Sequence, residues 1–232
     1  MRALLLAAGR GARMRPLTDT VAKPLLPVGG RPMIEWQIAA LARAGITEIV
    51  INTAHLAEQI ESTVGDGARH GARIVYSREG VRAEDALETL GGIVQALPLL
   101  GPGAFVVASS DIVTDFDYAG LRDAATAIDR GERDAHFVLV DNPPYHPGGD
   151  LGLRAGAGGP ALATRSAPLF TYANIGVLAP RLFAGLAPVR AKLFPWLFTT
   201  VEQGRASAQR WQGRWWNVGT PDDLADVDRI WP

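Results

Sequence analysis

The stretch Ala3-Leu-Leu-Leu-Ala-Ala-Gly-Arg-Gly-Ala-Arg-Met-Arg-Pro-Leu-Thr18, extended by Lys23-Pro-Leu-Leu-Pro27, decides the reading of this chain. Ala3–Ala8 is an apolar run of strand length, which Gly9 and Gly11 break into a loop carrying Arg13, Arg15 and Lys23. In an open α/β sheet, ligands sit beyond the carboxyl ends of the strands, and small residues there let backbone N–H groups approach phosphate oxygens. Two common phosphate motifs do not fit. G-x-G-x-x-G meets Met14 at its third glycine, and neither lysine follows a glycine as a P-loop requires. A glycine-rich turn with solvated arginines is the alternative reading of the loop.

Working outward, short apolar runs alternate with helix-period segments, the pattern of a mostly parallel sheet with crossover helices. Ile34, Ile38 and Leu41 share one face of a helix over Pro32–Ala44 that Gly45 stops, and Thr47–Asn52 is the next strand. Leu56, Ile60 and Val64 mark a second helix, Ala72–Ser77 a third strand, Gly91–Leu97 a helix and Ala104–Ser109 a strand. Asp117 reads as the N-cap of a helix carrying Leu121 and Ile128, and strand Ala135–Val140 follows. From Asn142 prolines and glycines crowd one loop, and short strands at Leu151–Arg154 and Leu169–Leu178 give the second half a β-rich character. A helix at Phe194–Glu202, a strand at Ser207–Trp211 and a helix opened by Thr220, Pro221 and Asp223 complete the order. The fold expected is therefore α/β: a Rossmann-like, mostly parallel mixed sheet flanked by helices, in one domain over residues 1–232.

Composition narrows the function. With 232 residues, 47% of them apolar and 20% charged, the chain has the make-up of a globular protein that buries a core. A net charge of -1 offers no general attraction for nucleic acid. Zero cysteines exclude disulfides, thiolate nucleophiles and Cys-based metal sites, and His55, His70, His136 and His146 show no metal-ligand spacing. No stretch reaches the roughly 20 apolar residues of a membrane helix, so the expectation is a cytoplasmic protein with neither membrane nor nucleic-acid partner. Only Lys23 and Lys192 break an otherwise all-arginine set of 23 basic residues.

The opening stretch resembles the signature of the sugar-1-phosphate nucleotidyltransferases, L-A-A-G-x-G-x-R-M/L-x-P-L-T followed by K-P-L-x-P. The resemblance continues through Pro32-Met-Ile-Glu35, Gly45-Ile-Thr-Glu-Ile-Val-Ile-Asn52, Glu88-Thr-Leu-Gly-Gly-Ile93, the Asp111 region and Trp216-Asn-Val-Gly-Thr-Pro221. Within the family, Leu139-Val-Asp-Asn-Pro-Pro-Tyr-His-Pro-Gly-Gly-Asp150 looks most like the short N-acetylmuramate-1-phosphate uridylyltransferases of cell-wall recycling. Members with a left-handed β-helix need more chain than follows Thr220.

The resemblance implies a nucleotide-binding part, residues 1–141, and a sugar-binding and closing part, residues 142–232. It implies attack by a sugar-1-phosphate oxygen on the α-phosphorus of a nucleoside triphosphate, UTP being favoured, with Mg2+ and cations neutralising the charge. Arg15 and Lys23 would be catalytic. Ala8, Gly9, Gly11, Ala12, Arg13 and Lys23 would hold the nucleotide with Glu79, Gly91 and Gly92, although Val81–Ala86 is longer than the family pattern and blurs the alignment near Glu79. Asp111 would ligate Mg2+, with Asn217 at a position where many members carry a second aspartate; an amide brings no charge. Asp150, Asn174 and Lys192 would receive the sugar phosphate.

Each residue also has a plainer reading. Asp111 could cap a turn, Asn217 could end a strand without metal, Gly91 and Gly92 could serve helix entry, and Asp150, Asn174 and Lys192 could be structural or solvated. Ser109 stands where the family often has asparagine. Asp115 and Asp117 form a D-x-D like that of metal-dependent glycosyltransferases, but Asp117 is explained as a cap. Trp36, Trp211, Trp215 and Trp216 read as packing residues. Mannose-1-phosphate guanylyltransferases and glucose-1-phosphate thymidylyltransferases share the opening signature. From a different class, a non-catalytic nucleotide-sugar sensor would suit Asn217 and Ser109. The sequence leaves oligomeric state open.

Overall fold

The computed structural model describes residues 1–80, 82–156 and 159–231; Val81, at the head of the blurred stretch, lies outside them. In chain order the elements are β1 (Arg2–Leu6), β2 (Pro27–Val28), β3 (Arg31–Pro32), α1 (Met33–Arg43), β4 (Glu48–Thr53), α2 (Ala57–Val64) and β5 (Arg73–Arg78). Then come α3 (Glu88–Leu100), β6 (Phe105–Ser109), β7 (Ile112–Thr114), α4 (Arg122–Asp129), β8 (Ala135–Val140), β9 (Leu151–Arg154) and β10 (Leu162–Thr164). β11 (Leu169–Leu178), α5 (Phe198–Glu202), β12 (Ala206–Arg210), β13 (Trp215–Asn217) and α6 (Pro221–Ile230) end the series.

Among the described residues one nine-stranded sheet runs β5-β4-β1-β6-β11-β8-β12-β10-β9. The strands from β5 to β6 are parallel, as their continuous apolar runs predict for strands covered on both faces. β11 enters between β6 and β8 and runs antiparallel to both, so the second half of the sequence supplies a central strand. One face of the sheet packs Ile34, Ile38 and Leu41 of α1 with Ile60 of α2, and the other packs Ile93 and Val94 of α3. Covering both faces buries the interior side chains of β1, β4 and β6 and fixes their register, while Val75 and Tyr76 of the edge strand β5 stay half-buried.

The α/β expectation holds, with differences at specific elements. The helix near Gly91–Leu97 begins earlier, at Glu88, and the expected Phe194–Glu202 helix begins only at Phe198. Asp117 does cap, accepting from Ala119 N–H at 2.9 Å, but it caps a 3₁₀ turn over Tyr118–Leu121 that leads into α4. Thr220 forms a capping box with Asp223 at the start of α6, as its spacing predicts. The short pairs β2–β3 and β7–β13 carry too few residues to announce themselves by periodicity. No helix of the described residues is long and apolar enough to cross a membrane.

Candidate active site

Among the described residues, two cavities gather most of the residues that the sequence singles out. The larger, about 570 Å³, is floored by the loop after β1 and brings together Ala8, Gly9, Gly11, Ala12, Arg13 and Lys23. Glu79 and Asp111 line it from the ends of β5 and β6. The smaller, about 230 Å³, is lined by Asp150, Asn174 and Asn217 together with Tyr145, His146 and Trp215.

The loop after β1 is shaped by Gly11. Its φ of 68° lies in the left-handed region, and an added Cβ would stand 3.1 Å from both Lys23 and Thr18. The Gly11 carbonyl accepts from Met14 N–H at 2.8 Å and from the Thr18 hydroxyl at 2.9 Å, which closes the turn. Gln59 of α2 fixes the far end of the loop, accepting from Ala22 N–H at 3.1 Å and donating to the Thr20 carbonyl at 2.9 Å. Lys23 is thereby brought across the cavity, where its ammonium pairs with the Asp111 carboxylate. Arg13 lies over Gly219, whose N–H donates to Asp223 at 3.0 Å; the start of α6 thus backs the nucleotide loop. Arg15 is placed differently. It lies outside the cavity lining, more than half exposed, and pairs with Asp19 at 2.7 Å.

A polar chain holds the opposite wall. Asn52 accepts from Ala7 N–H at 2.7 Å and donates to Glu79 at 2.6 Å, and the other Glu79 oxygen accepts from Leu87 N–H at 2.7 Å. Burial raises the Glu79 carboxyl above the usual range, partly offset by the hydrogen bonds from Leu87 and Asn52. Gly92 sits directly behind this pair, where a Cβ would collide with the Glu79 carboxylate, and Gly91 backs onto the Val189 carbonyl. Both glycines lie one layer behind the cavity wall.

That contact explains a residue the sequence reading missed. Ala191 N–H donates to the Leu87 carbonyl at 3.0 Å, and its own carbonyl accepts from Leu90 N–H at 2.9 Å. This docking places Arg190 in the lining of the large cavity, 3.5 Å from Glu88, whereas Lys192 is exposed and lines neither cavity. Nothing in the spacing distinguishes the two cations; only the packing of the 187–191 segment on α3 does.

In the smaller cavity, Asn174 occupies a left-handed conformation, φ 56°, at the irregularity of β11 between Tyr172 and Gly176. A non-glycine residue held there is a strained position of the kind found at binding sites. Trp215 donates to the Ala173 carbonyl at 3.0 Å and presents its ring to the cavity. Asn217 pairs with Ile112 across β13 and β7, next to Asp111, whose carbonyl accepts from Val218 N–H at 3.0 Å. The carboxylate and amide oxygens of Asp111 and Asn217 are hard donors suited to magnesium, which takes one or two protein ligands and completes its shell with phosphates and water. Among the described residues there is no cluster of three or more acidic or histidine side chains arranged as a metal cage.

A glycine-shaped loop, a lysine paired with a strand-end carboxylate, and a second cavity lined by Asp150, Asn174 and Asn217 together make a candidate nucleotidyl-transfer site. The comparisons agree. The profile of the nucleotidyl transferase family matches residues 2–147. The chain is 45% identical to an N-acetylmuramate alpha-1-phosphate uridylyltransferase of Neisseria meningitidis over 99% of its own length and 98% of the relative's. It is 34% identical to the protein of the same name from Caulobacter vibrioides, over 94% of this chain and 92% of that one. A crystal structure from Bacillus anthracis, assigned as a glucose-1-phosphate thymidylyltransferase and solved with sucrose, has the same fold. It superposes with a TM-score of 0.80 over 99% of this chain and 94% of that one, at 20% identity. This chain belongs to the nucleotidyl transferase family, and within it to the sugar-1-phosphate nucleotidyltransferases. It is an enzyme of that class, not the non-catalytic sensor entertained from Asn217 and Ser109.

Proposed function

We propose that this enzyme joins UTP and N-acetylmuramate 1-phosphate to give UDP-N-acetylmuramate and pyrophosphate, a reaction suited to cell-wall recycling in the cytoplasm. The observation that carries this reading is the 45% identity to the Neisseria uridylyltransferase over both full lengths. The two adjoining cavities support it, one floored by phosphate-type backbone and one lined by Asp150, Asn174 and an indole ring. We read residues 1–141 as the nucleotide half and residues 142–232 as the acceptor half, with Arg190 and Gly219 reaching back into the first.

The backbone from Ala8 to Arg13 would hold the triphosphate, and the Asn52–Glu79 pair would shape the wall beside the base. An oxygen of the acceptor phosphate attacks the α-phosphorus; that P–O bond forms as the bond to the β-phosphate bridging oxygen breaks, and pyrophosphate leaves. Both reactants are anions, so catalysis rests on alignment and charge neutralisation. Lys23 would take the charge that grows on the triphosphate, and Arg13 and Arg190 would draw in the remaining phosphate oxygens. Asp111 and Asn217 would hold Mg2+, which when bound would supply further charge neutralisation. Asn174 and the Trp215 ring would seat the sugar.

Pyrophosphate release should be measured with UTP and N-acetylmuramate 1-phosphate, with GTP and mannose 1-phosphate, and with TTP and glucose 1-phosphate. The first pair should turn over fastest. Silence there with turnover in either other pair would overturn the substrate choice.

A further inference from the structure

N-acetylmuramate 1-phosphate differs from N-acetylglucosamine 1-phosphate by a lactyl ether on the 3-oxygen, which adds a carboxylate on the far side of the ring from the phosphate. A cationic donor away from the phosphate cations would let a site select it. Arg13, Lys23 and Arg190 all line the larger cavity. Among the described residues lining the smaller cavity there is no arginine or lysine, and the one side chain able to carry positive charge is His146.

His146 is held in place from both sides. Its ring Nε2 bonds to Asp150 Oδ1 at 3.1 Å, and its backbone N–H donates to the Pro143 carbonyl at 2.9 Å. The loop around it is fastened by Asn142, which donates to the Pro147 and Leu169 carbonyls at 3.1 and 3.0 Å and accepts from the Thr171 hydroxyl at 2.9 Å. Gly149, at φ 62°, lets the chain turn tightly against Asn142 and Leu169. The second Asp150 oxygen accepts from Tyr172 N–H at 2.8 Å, so both carboxylate oxygens are committed to the protein. Asp150 is thereby fixed in place and orients the imidazole. With Nε2 on Asp150, Nδ1 has no partner among the described residues, and a ring set between Asp150 and a second carboxylate would carry N–H on both nitrogens, Nδ1–H being the one left to donate to that anion.

We infer that His146, positioned by Asp150, donates to the lactyl carboxylate of the acceptor and makes this enzyme select N-acetylmuramate 1-phosphate over N-acetylglucosamine 1-phosphate. The inference rests on the proposed function and deepens it. A preorganised charge-assisted hydrogen bond to a carboxylate is worth a factor of about 10 to 100 in affinity.

The test measures steady-state kinetics with UTP for the wild type, His146→Ala, His146→Gln and Asp150→Asn. N-acetylglucosamine 1-phosphate is scored as a substrate or, where it is not turned over, as a competitive inhibitor. His146→Ala should raise KM for N-acetylmuramate 1-phosphate by about 10- to 100-fold with kcat changed by less than about threefold. The constant for N-acetylglucosamine 1-phosphate should stay put, so the ratio between the acceptors collapses. Asp150→Asn should shift the same ratio in the same direction, which a merely structural loss would not do. If His146→Ala does not fold, His146→Gln, which keeps the bulk but not the charge, must show the collapse. Equal losses toward both acceptors, or an unchanged KM for N-acetylmuramate 1-phosphate, would overturn the inference while leaving the proposed reaction standing. A wild-type enzyme silent with UTP and N-acetylmuramate 1-phosphate would overturn both.

Discussion

The Lys23 ammonium and the Asp111 carboxylate face each other across the mouth of the larger cavity and form an ion pair, the lysine side chain largely buried and the aspartate about one quarter exposed. The two are distant in sequence, Lys23 in the loop after β1 and Asp111 just beyond the end of β6, and the parallel pairing of β1 with β6 brings them together. Each holds the other's charge in place. In the proposed reaction, phosphate oxygens would take Lys23 and a divalent cation would be held by Asp111, so that each would exchange its present partner for a substrate charge. The pair thus keeps two groups of opposite sign preorganised at the point where opposite charges must be met.

Replacing Lys23 by alanine should cost about 100- to 1000-fold in kcat, the usual loss when a preorganised electrostatic contact to the transition state is removed. It also leaves the Asp111 carboxylate without its counter-charge, so Lys23→Arg, which keeps the charge, should retain more activity. Pyrophosphate release by the purified variants decides the matter; ordinary turnover by Lys23→Ala would remove the residue from the mechanism.

Asn217 offers an amide oxygen where the family pattern often has a second aspartate, so in the proposed reaction the negative charge around magnesium would come from Asp111 and the phosphates. Asn217→Asp should therefore lower the magnesium concentration that gives half-maximal rate. A magnesium titration of initial rate, run side by side on wild type and variant, should show the shift. An identical requirement in both would separate Asn217 from the metal.

How much of this was legible in the sequence depended on how local the signal is. The β1 strand and the Gly9–Gly11 loop are encoded in adjacent residues, and their residues meet in one cavity. Thr220, Pro221 and Asp223 likewise announced the start of α6 because a capping box is complete within four residues. The central position of β11 was not legible, since nothing in an apolar strand states which neighbours it pairs with. Arg190 and Lys192 are two residues apart with the same charge, and only the docking of Ala191 on Leu87 and Leu90 tells them apart. The sequence reads Gly91 and Gly92 as nucleotide-holding or helix-entry residues; in the structure what approaches them is Val189 and Glu79.

Arg190 reaches the nucleotide cavity because Gly91 leaves room for the Val189 carbonyl. Arg190→Ala should lower kcat/KM by about 10- to 100-fold, the range of a charge-assisted hydrogen bond to phosphate. Gly91→Ala should reproduce part of that loss without touching the arginine, because the added methyl must push the 187–191 segment outward. Lys192→Ala, on an exposed side chain outside both cavities, should change little. If Lys192→Ala proves the more damaging of the two cation variants, the segment is docked differently in the working enzyme.

His136 supplies a pH dependence of stability distinct from catalysis. It is buried on β8, with Nδ1 on the Ser207 hydroxyl at 2.9 Å and Nε2 on Gln209 Oε1 at 3.0 Å, a set of partners that satisfies a neutral ring. Burial lowers its pKa to about 4, slightly offset by Gln209. Between pH 6.5 and 4 the unfolded chain takes up a proton on this ring that the folded protein refuses, so stability falls as pH falls through that window and levels off below it. The full effect is about 3 kcal/mol. Other groups act in or near the same range. His70, lowered chiefly by burial, adds to the slope; Glu79, raised chiefly by burial, opposes it; and Asp134, lowered chiefly by its hydrogen bond from Arg205, acts only in more acid solution. Comparing wild type with His136→Gln cancels these terms. Urea midpoints at pH 7 and pH 4.5 should differ less in the variant, whatever its absolute stability, and equal differences in the two proteins would show that His136 titrates alike in the folded and unfolded chains.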